Sequence, residues 1–385
     1  MAAALIGDLV AEAAVRAGPW DGEVPFAGTL DLLIRSCHRT AALNPAGQDV
    51  LHRTAVRRLR NLRYVQDHLD ARPDVANRPL AAPVVVTGLP RTGTTLLHNL
   101  LALDPAHRVL RTWEALHPVP PQADGPSAEQ LQAQAARWLA AFHRLVPGFA
   151  AIHRSTPTGP EECDALLQNT FASQHFDDMF DARDYADWLA TAPLAAEYAH
   201  YALQLRVLSA SGPAGTRWAL KSPSHLGHLD ALRLALPGCT VVICHRHPRQ
   251  AVASYASLIA TLRQAYSDSV SPVIIGRQAL ARASTAMARA LAVRDVAGGR
   301  DGSIVDVAYS QLVADPVGAT RGVYRALGRP LSSVVEARIR NWTAANPQHR
   351  HGRHDYDLDR FGLTGAEVDA PFAPYLERFG AACAT

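Results

Sequence analysis

The stretch Val84-Val85-Val86-Thr87-Gly88-Leu89-Pro90-Arg91-Thr92-Gly93-Thr94-Thr95-Leu96-Leu97 constrains the chain more than any other segment. A β-branched apolar run stops at Gly88, a short Gly/Pro loop follows, and Thr94-Thr95 opens an apolar helical pattern. A strand–loop–helix unit of this kind presents backbone N–H groups and a helix N-terminus to a phosphate. From Gly88 to Thr95 it nearly spells the triphosphate loop G-x-x-x-x-G-K-[ST], but Thr94 stands where that loop carries lysine. That lysine reaches the β- and γ-phosphates; here the cation, Arg91, lies inside the loop instead. The phosphate cradle is kept and the triphosphate chemistry is not.

The 385 residues, 48% hydrophobic and 19% charged, suffice for one large core or two modest ones. A net charge of +3 leaves no global basic field for nucleic acid. The cysteines Cys37, Cys163, Cys239, Cys244 and Cys383 form no C-x-x-C pair, which fits a reducing compartment better than a disulfide scaffold. Acids come early (Asp8, Glu12) without a signal-peptide pattern. No apolar run approaches the ~18 residues of a membrane span, so a cytoplasmic protein with no transmembrane segment is expected. Of the 38 lysines and arginines one is lysine, Lys221, a usage expected of a GC-rich bacterial genome. A lone lysine in such a background suggests a task that a compact ammonium performs and a planar guanidinium does not.

Residues 1–80 show helical periodicity, as in Leu51, Val56, Leu59, Leu62 and Val65, and read as a helical segment packed on the rest. Residues 81–385 read as the main domain, with a helical insertion at about 105–215. Leu116 to Asp124 is a proline-rich loop before a helix near 127–146. Strand signals return at Trp218-Ala219-Leu220, Val241-Val242-Ile243-Cys244 and Ile304-Val305-Asp306-Val307, the later ones each followed by a helical pattern. The expected fold is α/β: a three-layer, P-loop-like parallel sheet flanked by helices.

Open parallel sheets bind ligands at the carboxyl ends of their strands, and two further segments put polar residues there. After Val241–Cys244 comes His245-Arg246-His247-Pro248, with Ser254 two turns into the helix that Pro248 opens. A strand-end arginine and a helix hydroxyl can converge on one phosphate. The other segment is Leu220-Lys221-Ser222-Pro223-Ser224-His225, in which Ser222 caps a helix starting at Pro223 and His225 falls in its first turn. The positive helix end favours the neutral imidazole, able to accept a proton. Glu161-Glu162, after Pro157-Thr158-Gly159-Pro160, are expected in a helix's first turn, where acids usually serve as dipole partners.

These residues resemble the sulfotransferases that use 3′-phosphoadenosine 5′-phosphosulfate (PAPS), in their larger bacterial branch. The family's 5′-phosphosulfate loop is matched by Pro90-Arg91-Thr92-Gly93-Thr94-Thr95, and its 3′-phosphate pair by Arg246 and Ser254. Lys221 and His225 look like the lysine and histidine that precede that arginine; cytosolic members separate them by one residue, whereas three stand between them here. Val307-Ala308-Tyr309-Ser310 resembles the segment whose tyrosine lies by the adenine. His349-Arg350-His351-Gly352-Arg353-His354 resembles the basic glycine-containing loop that closes over the cofactor. A zinc site from its histidines is disfavoured by the interleaved arginines. Leu96 replaces the loop tryptophan of many cytosolic members, so base stacking differs.

The resemblance implies in-line transfer of a sulfuryl group from PAPS to a hydroxyl of a small acceptor, with no metal. Arg91 and Lys221 would stabilise the charge, Thr94 and Thr95 would donate hydrogen bonds, and His225 or Glu162 would act as base. Pro90 to Thr95, Arg246, Ser254, Tyr309, Arg350, Gly352 and Arg353 would hold the donor. Trp113, Trp138, Phe142, Phe171, Phe176 and Trp188 hint at an apolar acceptor lining, although aromatics at helical spacing are commonly core. Two other readings stay open: an NTP-using enzyme such as a nucleotide kinase, and a nucleotide-binding protein without catalysis. The first wants a lysine at position 94 and a magnesium-binding acid; the second leaves Lys221 and His225 without a task.

Overall fold

The computed structural model describes residues 2–122, 124–149, 155–212, 215–296, 303–346 and 357–383. The chain forms two compact units, one of residues 1–80, 111–214 and 259–270, the other of residues 81–110, 215–258 and 271–385. The N-terminal helices and most of the helical insertion therefore belong to one unit, and the sheet belongs to the other.

In the helical unit, the helix Pro45–Ala71 shows how sequence dictates placement. Asn44 caps it by accepting from Gly47 N at 2.8 Å, and Pro45 supplies a first position that needs no N–H donor. Leu51, Val56, Leu59, Leu62 and Val65 are all buried, as their spacing predicts. The helix Ala128–Leu145 starts at a reciprocal Ser127–Gln130 capping box and turns Leu131, Ala135 and Leu139 inward. Phe171 and Phe176 are core residues, whereas Trp138 is 38% exposed. Arg58 is buried and bonded through both terminal nitrogens: Nη1 donates to Ala165 O and Asn169 Oδ1 (both 3.2 Å), and Nη2 to Gln168 Oε1. These bonds offset the cost of sealing a guanidinium from water.

The other unit is built on a five-stranded sheet of order β2-β3-β1-β4-β5, in which β1 is Val84–Gly88, β2 His107–Arg108, β3 Arg217–Lys221, β4 Thr240–His245 and β5 Ile304–Ala308. All neighbours run parallel, with Val86 opposite Lys221 and Val242, and Gly88 opposite Cys244. β1 is buried at every position, as a central strand covered on both faces must be. On one face Val84, Val86, Ala219, Val242, Cys244 and Val307 pack with Leu97, Leu100 and Leu101 of the helix Thr94–Leu101 and with Val323 and Ile339. The expected strands form where their apolar runs lie. The two-residue edge strand β2 has no counterpart among them, since a segment so short carries no period.

The strand order makes β1 a switch point: from it the chain builds β2 and β3 on one side, then β4 and β5 on the other. The crevice beyond the carboxyl end of such a strand is where open α/β sheets take ligands. No described helix is long and apolar enough to cross a membrane.

Candidate active site

The loop from Gly88 to Gly93 leaves β1 with three residues in left-handed backbone: Gly88 (φ +146°), Arg91 (+70°) and Gly93 (+93°). At Gly88 a Cβ would lie 2.6 Å from Cys244 O and 2.9 Å from Thr92 Oγ1, so glycine is required there. Arg91 has no such licence and is held by its neighbours. Arg246 Nη1 donates to its carbonyl at 2.9 Å, and its own Nε donates to Ser254 Oγ at 3.1 Å. A non-glycine residue in this conformation persists only where the surroundings over-determine it. The buried Thr92 closes the turn by donating from Oγ1 to Leu89 O at 2.7 Å.

The helix Thr94–Leu101 begins immediately beyond this turn, with Gly93 as its cap and no side chain capping it. Its first N–H groups have no intrahelical partner, and its dipole favours negative charge at that end. Thr94 is buried and Thr95 exposed at its start. Lys221, at the end of β3 and 1% exposed, donates from Nζ to Thr95 Oγ1 at 3.3 Å. The only lysine in the chain therefore meets the helix start that follows the loop.

Arg246 follows β4. Besides Arg91 O it donates from Nε to Gln250 Oε1 at 2.8 Å, and its Cζ sits 4.3 Å from the centroid of Tyr309. Tyr309 opens the helix Tyr309–Ala314 directly after β5 and packs against Gly93, where a Cβ would approach its Cδ2 to 2.9 Å. Ser254, 2% exposed, lies in the helix Pro248–Tyr266. Pro90 to Thr95, Lys221, Arg246, Ser254 and Tyr309, drawn from four separate parts of the sequence, thus form one contiguous cluster. Three of its members, Arg91, Lys221 and Arg246, are cations.

His225 lies in the same unit, on the 3₁₀ turn Pro223–His228 that Ser222 caps by accepting from Ser224 N at 3.1 Å. It is fully buried. Glu161 and Glu162 lie in the helical unit, upstream of the helix Asp164–Leu167 rather than in its first turn. The reason is local: the segment before them is tied to 111–113 by Thr112 N to Gly159 O (3.2 Å) and Trp113 N to Pro157 O (3.0 Å). Glu161 accepts from Thr112 Oγ1 at 3.1 Å and from Glu162 N at 2.9 Å. Glu162 is half-buried. Arg350, Gly352 and Arg353, with the histidines around them, lie outside the described residues.

One support has no signature in the sequence. The His245 ring, 1% exposed, joins Asp306 Oδ1 through Nε2 at 2.8 Å and Tyr375 Oη through Nδ1 at 3.1 Å, and stacks on Phe379 with centroids 4.4 Å apart. Arg294 Nη1 donates to Asp306 Oδ1 at 2.7 Å. Burial alone would raise the Asp306 carboxyl, but the hydrogen bonds from His245 and Arg294 bring it down to about 2. This network fixes the strand end from which Arg246 projects. No motif signals it, because its members are far apart in the chain.

The model of the sulfotransferase family named Sulfotransfer_3 matches residues 83–333, a span that takes in the loop, Lys221, Arg246, Ser254 and Tyr309. The structure is similar to that of sulfotransferase STF9 from Mycobacterium avium: TM-score 0.82 and 30% identity, over 97% of this chain and 96% of that one. It is equally similar to sulfotransferase STF1 from Mycobacterium tuberculosis: TM-score 0.83 and 30% identity, over 96% of this chain and 98% of that one. Among curated proteins none matches. With its sheet, its loop and these similarities in agreement, the chain belongs to the sulfotransferase family.

Proposed function

We propose that the chain is a PAPS-dependent sulfotransferase acting on a hydroxyl of a small, hydrophobic acceptor. One observation carries the reading: Arg246 and Ser254 both clasp Arg91, through its carbonyl at 2.9 Å and its Nε at 3.1 Å, so the two halves of a doubly anionic site are built as one piece. The donor set suits the nucleotide. It offers cations, hydroxyls and helix-start N–H groups, and includes a tyrosine ring beside the loop. PAPS, when bound, supplies the sulfuryl group.

The chain's own residues would do the rest. Pro90 and Thr92 shape the loop, Gly93 lets it pass under Tyr309, and Thr94 and Thr95 donate to the 5′ oxygens. Arg91 and Lys221 put positive charge where negative charge grows as the bond to the leaving phosphate breaks, the preorganised electrostatics that lowers such barriers. Arg246 and Ser254 hold the 3′-phosphate, with Tyr309 by the base. Arg350, Gly352 and Arg353 would close over the nucleotide. The acceptor's proton goes to Glu162 or His225. The partial exposure of Glu162 favours the carboxylate, since a general base has to touch the oxygen it deprotonates.

Replacing Arg246 by alanine tests the assignment. Loss of a charged partner should weaken adenosine 3′,5′-bisphosphate by about 2–4 kcal/mol and adenosine 5′-monophosphate by less, through the lost bond to the Arg91 carbonyl. Equal losses for both ligands would overturn the 3′-phosphate role.

A further inference from the structure

The helix Pro45–Ala71 is rich in arginine, and most of its arginines have evident partners. Arg53 pairs with Asp49 at 2.8 Å, Arg63 with Asp67 at 2.7 Å, and Arg58 is held by the hydrogen bonds described above. Arg57 is different. Among the described residues its guanidinium has no hydrogen bond and no ion pair at any nitrogen, whereas Arg58 and Arg63, whose Nε groups are likewise sealed without an acceptor, are held through their terminal nitrogens. Its Cζ instead lies 5.3 Å from the centroid of Trp138. Arg60, one turn on, also has a sealed Nε without an acceptor, and its guanidinium meets Tyr64, 3.4 Å from the hydroxyl and 5.8 Å from the ring centroid.

Three helices meet here. Leu131, Ala135 and Trp138 share one face of the helix Ala128–Leu145. Trp113 and Leu116 of the helix Thr112–Leu116 pack on its first part, and Arg57 covers its last. The Trp113 Nε1 is a further buried donor without an acceptor. Trp138, the exposed member, stacks nearly parallel to Phe142 with centroids 5.6 Å apart and a 6° tilt. Arg57, Arg60 and Trp113 thus offer donors that lack acceptors, beside a flat aromatic surface open to solvent.

The charges agree with the geometry. Burial and then Arg60 push Arg57 down to about 10, with no carboxylate acting on it. Burial and then Arg57 and Arg60 push His117 down to about 4. Two guanidiniums one turn apart repel each other, and desolvation without a partner adds to that cost. An arginine fork left in this state matches a carboxylate, sulfonate or phosphate through paired hydrogen bonds.

We propose that Arg57 and Arg60, beside the Trp138 ring, form a binding site in the helical unit for an oxyanion carried on a flat apolar group. The site is independent of the donor reading and has its own test. Calorimetric titration would use naphthalene-2-sulfonate and naphthalene-2-carboxylate, with neutral naphthalen-2-ol beside them, on the full chain and on Arg57→Met and Arg246→Met. Both anions should bind, at least about tenfold tighter than the alcohol, and Arg57→Met should erase that preference while Arg246→Met keeps it. Arg57→Met should melt at or above the wild-type temperature, because methionine can still pack over Trp138 while the buried, unpartnered charge is removed. Absence of anion binding, anion binding that Arg57→Met leaves intact, or a lower melting temperature for Arg57→Met would each overturn the proposal.

Discussion

Replacing Gly93 by alanine puts one methyl group at the hinge between the loop and its helix. The backbone there sits at φ +93°, which costs an L-residue about 1–2 kcal/mol. The new Cβ would meet Tyr309 Cδ2 at 2.9 Å and Leu312 Cδ2 at 3.2 Å, so the ring has to move. Overpacking of that order costs about 1–3 kcal/mol, for a total of about 2–5 kcal/mol. For units of this size that amounts to roughly 4–20 °C in melting temperature, read by differential scanning calorimetry. The Tyr309 ring also supports Arg246 at 4.3 Å, so adenosine 3′,5′-bisphosphate should bind several-fold more weakly as well.

Gly322, inside the helix Pro316–Ala326, is the matched control, because a methyl group added there would have no atom within 4 Å. At that position the same change should stabilise by about 0.5–1 kcal/mol through helix propensity. If Gly93→Ala melts like the wild type, or if both variants shift in the same direction by like amounts, the account of the loop is refuted.

Three further outcomes are expected. Lys221→Arg keeps the charge but replaces a compact ammonium with a planar fork, so turnover should fall roughly 10–100-fold while bisphosphate affinity changes little; unchanged turnover would make the lone lysine a coincidence. In single-turnover measurements Glu162→Gln should slow transfer by about 10²–10⁴-fold and His225→Ala by less; if neither slows it, both base assignments fail. The Asp306 carboxyl, lowered to about 2 from its usual 3.8, contributes stability that is complete above pH 4 and lost as pH falls through about 2. Because Asp306 is partly exposed and solvent screens the interaction, Asp306→Asn should cost about 1 kcal/mol in denaturant titrations at pH 7, and the difference from wild type should shrink toward pH 2. A difference that ignores pH would contradict the His245–Asp306 account.

What the sequence disclosed and what it hid divide along physical lines. β1, its loop and the following helix are local: a β-branched run, two glycines that need special backbone and a helix start are all written within a few residues. Arg246 and Ser254 share a strand–helix turn, so their convergence follows from the 3.6-residue period once Pro248 marks the helix start. Partnerships across the sheet left no local trace. Asp306 is 61 residues from His245, and Tyr375 is 130 from it. The two-residue β2 exists because β3 offers it an edge, not because His107-Arg108 prefers to be extended. Glu161 and Glu162 missed the helix they were expected to open because the segment before them is bridged to Arg111 at Pro160. Arg57 could not stand out in a chain where nearly every cation is arginine; its isolation emerges only when its neighbours' partners are known.

The most direct test of the central claim is calorimetric titration of the full chain with adenosine 3′,5′-bisphosphate, beside ATP and ADP with and without magnesium. The cluster of Arg91, Lys221, Arg246 and Ser254 predicts tight, magnesium-independent binding of the bisphosphate and weak binding of ATP and ADP. Preference for ATP with magnesium would contradict it and make the loop a triphosphate site after all.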